Sequence, residues 1–162
     1  GVFLRCDASR YGTRATLRRC SIRRETMVNY YMAAKLPISF GKALERTEEA
    51  LKQEGFGIIS RIDIQEALKT KIGVDFRPYT ILGACNPRLA YEALKIEDKV
   101  GTMLPCNVVV QELGPRQTEI AAVDPVASMQ AIENVELTEA AREVRKKLGR
   151  VIEALGALVE SE

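Results

Sequence analysis

Two dipeptides, Cys85-Asn86 and Cys106-Asn107, carry the most chemistry in this sequence, the first ahead of Pro87 and the second behind Pro105. Two thiols at two corners of one domain can serve as a redox pair or as soft metal ligands, if the fold brings them together. Cys85 precedes an Asn-Pro helix start, and the positive end of a helix is an environment that depresses a thiol pKa. The amides of Asn86 and Asn107 can hydrogen-bond a small polar ligand beside those sulfurs, or simply finish caps and loop backbone. In "DFRPY", Asp75, Arg77 and Tyr79 alternate onto one face of an extended stretch, where Arg77 can hold an anionic group or enter a surface ion pair. The candidate ligand-binding residues are therefore Cys85, Asn86, Cys106, Asn107, Arg77 and Tyr79, and no residue is assigned a catalytic role. Cys85 and Cys106 are also the ligands in an alternative reading, a thiol-based redox or metal-handling protein.

Composition narrows these choices. The 162 residues contain no histidine, which removes Ser-His-Asp and Cys-His nucleophilic arrangements, the two-histidine zinc helix and the facial-triad iron site. No cofactor is indicated. The cysteines fall at 6, 20, 85 and 106 with no CxxC and no export signal, a pattern of reduced thiols in a cytoplasmic protein. No apolar run is long enough to span a membrane.

Charge is unevenly distributed. Residues 1–26 hold seven arginines against Asp7 and Glu25, a net +5, which leaves −3 for residues 27–162 of a chain whose total is +2. The first 26 residues show no sustained helical or strand period and read as a basic leader outside a single domain of 27–162. Such a leader could bind nucleic acid or an anionic surface, whereas the mildly acidic domain has no nucleic-acid footprint.

The elements that must position the candidate residues follow from periodicity and punctuation. "VNYYMAAKL" alternates, with Val28, Tyr30, Met32 and Ala34 on one side. Ser39 opens a helix carrying Phe40, Ala43, Leu44, Thr47, Ala50 and Leu51 at helical spacing, and Gly55 stops it. "FGIISRI" is a second strand; Asp63 with Glu66 starts a short helix closed by Gly73. "RPYTILGAC" is a third strand, and Asn86-Pro87 caps the helix after it. "CNVVVQEL", a Gly114-Pro115 turn and "RQTEIAAVD" form a hairpin. Asp124 acts as a helix cap ahead of Pro125 rather than a catalytic acid and starts "VASMQAI"; Thr138 opens a last helix with a stripe of Ala141, Val144, Leu148, Val151, Ile152, Leu155 and Leu158.

The order β-α-β-α-β-α-β-β-α-α with a late hairpin predicts the α+β class: a mixed, largely antiparallel sheet of about five strands with helices mainly on one face. Tyr30, Tyr31, Met32 and the continuous "VVV" of the fourth strand are apolar on both faces. The second face is therefore expected to meet a second copy in a homodimer or be covered by a helix, the alternative being that "VVV" is simply a central strand.

The stretches "SFGKALERTEEALKQEGFGIIS", "VDFRPYTILGACNP", "LPCNVVV" and "AVDP" together resemble the prokaryotic family named domain of unknown function 302, over roughly Met27 to Leu155. The resemblance implies a compact, dimeric α+β domain with no settled biochemical activity. Many members carry glycine or an aliphatic residue at the positions of Cys85 and Cys106, so the resemblance does not extend to those thiols. The reading that joins these points is a dimeric ligand-binding or accessory protein without catalytic machinery, taking a small polar ligand.

Overall fold

Met32, Ala34 and Leu36 turn inward while Tyr31, Ala33 and Lys35 turn outward, which defines the first strand, β1 (Tyr31–Leu36). The structure is a computed structural model, and it describes residues 30–157. The basic leader, Val28 of the expected strand pattern and Leu158 of the last helical stripe lie outside the described residues. Tyr30 shares parity with Met32 yet is 69% exposed, because it precedes the strand and packs edge-on against Tyr31 at 4.9 Å.

After β1 the chain forms α1 (Phe40–Gln53), β2 (Gly57–Asp63), α2 (Ile64–Ile72), β3 (Tyr79–Cys85), α3 (Pro87–Ile96) and a 3-10 turn (Asp98–Met103). β4 (Cys106–Gly114), β5 (Gln117–Val123), α4 (Pro125–Ser128) and α5 (Val135–Ala157) complete it. The helix starts rest on short side chains. Asp63 accepts from the Glu66 N–H at 3.0 Å, Asn86 from Leu89 at 3.2 Å and Asp124 from Val126 at 2.9 Å. Gly55 and Gly73 end α1 and α2 at φ of 83° and 69°, a region that residues with a Cβ avoid. Ser39 occupies the N-cap position of α1, but its side chain makes no capping bond.

The last helix begins a turn before the expected Thr138. Asn134 caps it by accepting from the Leu137 N–H at 3.1 Å, and the Thr138 hydroxyl donates back to the Asn134 carbonyl at 2.9 Å. A threonine that bonds four residues back lies inside a helix and does not open it. The expected "VASMQAI" helix is a single turn, Pro125–Ser128.

All four strand pairings are antiparallel, in the order β1-β5-β4-β3-β2. The fold is thus α+β with an open five-stranded sheet. Leu36, Leu82, Ala84, Val108, Val110, Ile120 and Ala122 share one face and are buried with Ala43 and Leu51 of α1 and Leu148, Val151, Ile152 and Leu155 of α5. Complete burial of a leucine or valine contributes about 1.5–3 kcal/mol, so this layer is the main source of stability. A smaller cluster joins Ala93 of α3, Val100 of the 3-10 turn and Leu137 of α5. The "VVV" of β4 divides as its period demands: Val108 and Val110 enter the core, and half-buried Val109 lies on the opposite face, which is uncovered among the described residues.

Candidate functional site

Across the β3–β4 ladder, Cys106 pairs with Ala84 and Asn107 with Gly83. Cys106 points into the core beside Val108, whereas Asn107, its neighbour in the chain, is exposed on the uncovered face. A strand sends consecutive side chains to opposite faces. The two Cys-Asn pairs therefore do not form one rim. Cys85, Asn86 and Cys106 share a cavity of about 30 Å³ between the end of the sheet and α3, α4 and α5, and Asn107 is absent from it. Leu89, Met129 and Val144 are among its other walls.

Both thiols in this cavity are free, Cys85 half-buried and Cys106 buried. Burial pushes the Cys85 thiol above its ordinary pKa. Burial, with a smaller contribution from Cys85, pushes Cys106 up to about 11. Desolvation disfavours the thiolate, the direction opposite to the lowering that a helix N-terminus can give. Asn86 has its side-chain oxygen committed to capping α3.

The uncovered face holds a second, larger concavity. Tyr30, Tyr31, Tyr79, Asn107, Gln111 and Glu119 ring a groove of about 370 Å³ whose floor includes Val109, Ala121 and Val123. Sheet register assembles it. Tyr79 of β3 pairs with Gln111 of β4, which pairs with Glu119 of β5, which pairs with Lys35 of β1. A hydrogen-bonded line runs along that row. Arg77 donates to Gln111 Oε1 through Nε at 3.0 Å and a terminal nitrogen at 2.7 Å, and Gln111 Nε2 donates to Glu119 Oε1 at 2.9 Å. Both ends of the Gln111 amide are engaged by these contacts, the oxygen by Arg77 and the nitrogen by Glu119.

Arg77 also lies 4.6 Å from the Phe76 ring centroid and 5.9 Å from that of Tyr79. Arg77 and Tyr79 are thus brought together, as their spacing suggested. Asp75 is not part of that group, because it accepts from Lys69 Nζ at 2.6 Å. The candidates consequently divide into Cys85, Asn86 and Cys106 at the cavity and Asn107 and Tyr79 at the groove, while Arg77 is not among the groove's lining residues and reaches it only through its bonds to Gln111. Tyr30, Tyr31, Gln111 and Glu119 are groove residues that motif reading missed; alternation in β4 and β5 is the signal that puts Gln111 with Asn107 and Glu119 with Val123.

Other charged contacts brace the frame. Asp124 caps α4 and takes a bond from Arg145 Nε at 2.7 Å; Arg150 grips the Glu54 carboxylate with bonds of 2.9 and 2.6 Å. Among the described residues no group of three or more His, Cys, Asp or Glu gathers as a metal cluster, and no helix is long and apolar enough to cross a membrane.

The groove and cavity lie on a fold seen in a known protein. An uncharacterized conserved DUF302 protein from Bacillus stearothermophilus, known from its crystal structure, superposes with a TM-score of 0.72 at 32% sequence identity, over 77% of this chain and 97% of that one. No curated protein matches the sequence. The family model for the domain of unknown function DUF302 matches residues 32–155, which takes in all five strands but the first residue of β1. The chain belongs to the DUF302 family.

Proposed function

We propose that the single α+β domain of residues 27–162 is a non-catalytic ligand-binding module that acts as a homodimer and takes a small polar ligand in the groove on its uncovered face. One observation carries this reading: the groove has about 370 Å³ of space, within the range of small-molecule sites, and combines aromatic walls with amide and carboxylate groups. Tyr79 and Asn107 are the contacts for the ligand, and Arg77 holds Gln111 in position. The free thiols fit a reducing, cytoplasmic setting.

Support for a second copy comes from the β2–α2 unit. β2 is an edge strand exposed along most of its length, and α2 has none of its nine residues buried. α2 packs lightly on β3 through half-buried Ile64, Ala67 and Leu68 and leaves Ile72 exposed. Ile59, Ile62, Ile72 and Val74 are exposed on this unit among charges of both signs, Arg61, Asp63, Lys69 and Asp75. A two-fold axis needs such self-complementarity, and it would join two β2 edges antiparallel.

Chemical-shift mapping with a panel of small polar metabolites tests the groove. Perturbations confined to Tyr79, Asn107, Gln111 and Glu119, and lost in Asn107→Trp, support it; perturbations elsewhere, or none across the panel, overturn it. Sedimentation equilibrium tests the dimer. A dimer that dissociates in Ile62→Asp is expected, and a wild-type monomer at tens of micromolar would refute that half of the reading.

A further inference from the structure

The floor of the groove is laid by two neighbouring strands. β4 supplies Gln111, Val109 and Asn107, and β5 supplies Glu119, Ala121 and Val123, each set alternating along its strand and all of them lining the groove. Register sets the strands side by side, with Gln111 against Glu119 and Val109 against Ala121. The floor is therefore polar at one end, apolar in the middle and mixed at the other, and it runs for about 13 Å along the strands. Val109 and Ala121 are short beside Tyr79 and Tyr31 on the flanking strands β3 and β1, and that difference in height makes the trough.

Charge selects the occupant. Glu119 is the one charged residue among those that line the groove. Its Oε1 accepts from Gln111 Nε2, and its other oxygen takes no hydrogen bond from any described residue. Neither nearby cation satisfies that oxygen: Arg77 donates to Gln111, and Lys35, opposite Glu119 in the β1–β5 ladder, makes no ion pair with it. We propose that the groove takes an organic cation, a primary amine with a flat apolar body, whose ammonium donates to the open Glu119 oxygen while the body lies along the strands over Val109 and Ala121. The inference rests on the groove being the ligand site, and it gives that ligand a charge and a shape.

An ammonium brings donors to a site whose open group is an acceptor, and a charged donor on a carboxylate makes the stronger kind of hydrogen bond. An anion in the same place would meet the Glu119 carboxylate at close range with no cation in the lining to offset it. At the far end the Asn107 side-chain amide makes no hydrogen bond to another described residue, so it is open to one uncharged polar group on the body. Tyr31, paired with Val123, borders that end with Tyr30 set edge-on against it, and aromatic surface suits a flat body.

The test is an NMR titration of the full chain with tryptamine, set against tryptophol and indole-3-propionate, which keep the ring and put a hydroxyl or a carboxylate where tryptamine has its ammonium. Tryptamine should shift Val109, Gln111, Glu119 and Ala121, bind roughly tenfold more tightly than tryptophol and weaken as salt is added, and the carboxylate should not bind. Glu119→Gln keeps an oxygen for the Gln111 N–H and removes the charge, so it should bring tryptamine down to the level of tryptophol and leave tryptophol unchanged. If that variant fails to fold, the three probes on the wild-type chain carry the test. Equal binding of tryptamine and tryptophol, preference for the carboxylate, or an ammonium preference that survives in Glu119→Gln overturns the amine assignment and leaves the groove a site for another ligand. Silence of the groove residues toward all three probes overturns the assignment as well, and the groove itself is then judged by the metabolite panel.

Discussion

Ala84, and not Cys85, stands opposite Cys106 across the β3–β4 ladder. The thiol of Cys106 is sealed in the core with its pKa pushed up to about 11, so it is protonated at pH 7. Alkylation of the Cys6→Ser, Cys20→Ser chain, followed by mass spectrometry, should modify Cys85 first and both thiols more slowly than a free cysteine. A disulfide that forms readily under mild oxidant would contradict this packing.

The same burial predicts an alkaline limit to stability. A folded pKa above the unfolded value of roughly 8.5 means that the neutral thiol is favoured by folding, a contribution complete below that pH and lost as pH rises toward about 11. Thermal melts should therefore fall between about pH 9 and 11, and Cys106→Ala should flatten that fall while costing stability at neutral pH.

Gly83 is a site of close approach. A Cβ there would lie 2.1 Å from Ser60 Oγ and 2.7 Å from Pro105 Cγ. Gly83→Ala should destabilise by about 1–3 kcal/mol in urea unfolding. Adding Ser60→Gly should restore only part of the loss, because the Pro105 ring cannot rotate away. Full recovery would show that Ser60 alone fills the space.

Asp124 performs two tasks through two oxygens, capping α4 with one and accepting from Arg145 with the other. Asp124→Ala should cost about 1–2 kcal/mol for the lost cap, more than Arg145→Ala, whose guanidinium side is half exposed. Equal losses would mean that the ion pair, and not the cap, matters.

Arg150 holds the Glu54 carboxylate below the usual glutamate range, chiefly by direct hydrogen bonding. A depressed folded pKa adds stability above the unfolded pKa and loses it as pH falls through the folded one. Glu54→Gln should therefore melt below wild type at pH 7, and the gap should close under acid conditions. A gap independent of pH would remove this pair from the acid response.

Much of this architecture was readable because it is local. Asp63, Asn86 and Asp124 cap the helices that their sequence contexts announced, since a cap needs only a short side chain and the next two or three N–H groups. The α5 start was misplaced because Asn134 and Thr138 are both plausible caps, and only the direction of the Thr138 hydroxyl separates them. The split of Cys106 from Asn107 was implicit in the period of a strand. The groove was harder. With Gly114 opposite Gln117, a regular hairpin would set Glu112 against Glu119, but an irregularity between Glu112 and Gly114 advances the register and gives Gln111 that place. The strand order depends on contacts between residues far apart in sequence, which no local pattern encodes.

That order has a consequence for synthesis. β2 to β5 each pair with the strand made just before or after them, so those hairpins can close as the chain emerges. Among the described strands β1 has a single partner, β5, and Tyr31 meets Val123 only after about 90 further residues have been made. Until then Met32, Ala34 and Leu36 have neither a neighbouring strand nor α5 above them. Of the described strands the one made first is the last to be seated, and on the ribosome Tyr31–Leu36 waits longest among them, open to a chaperone.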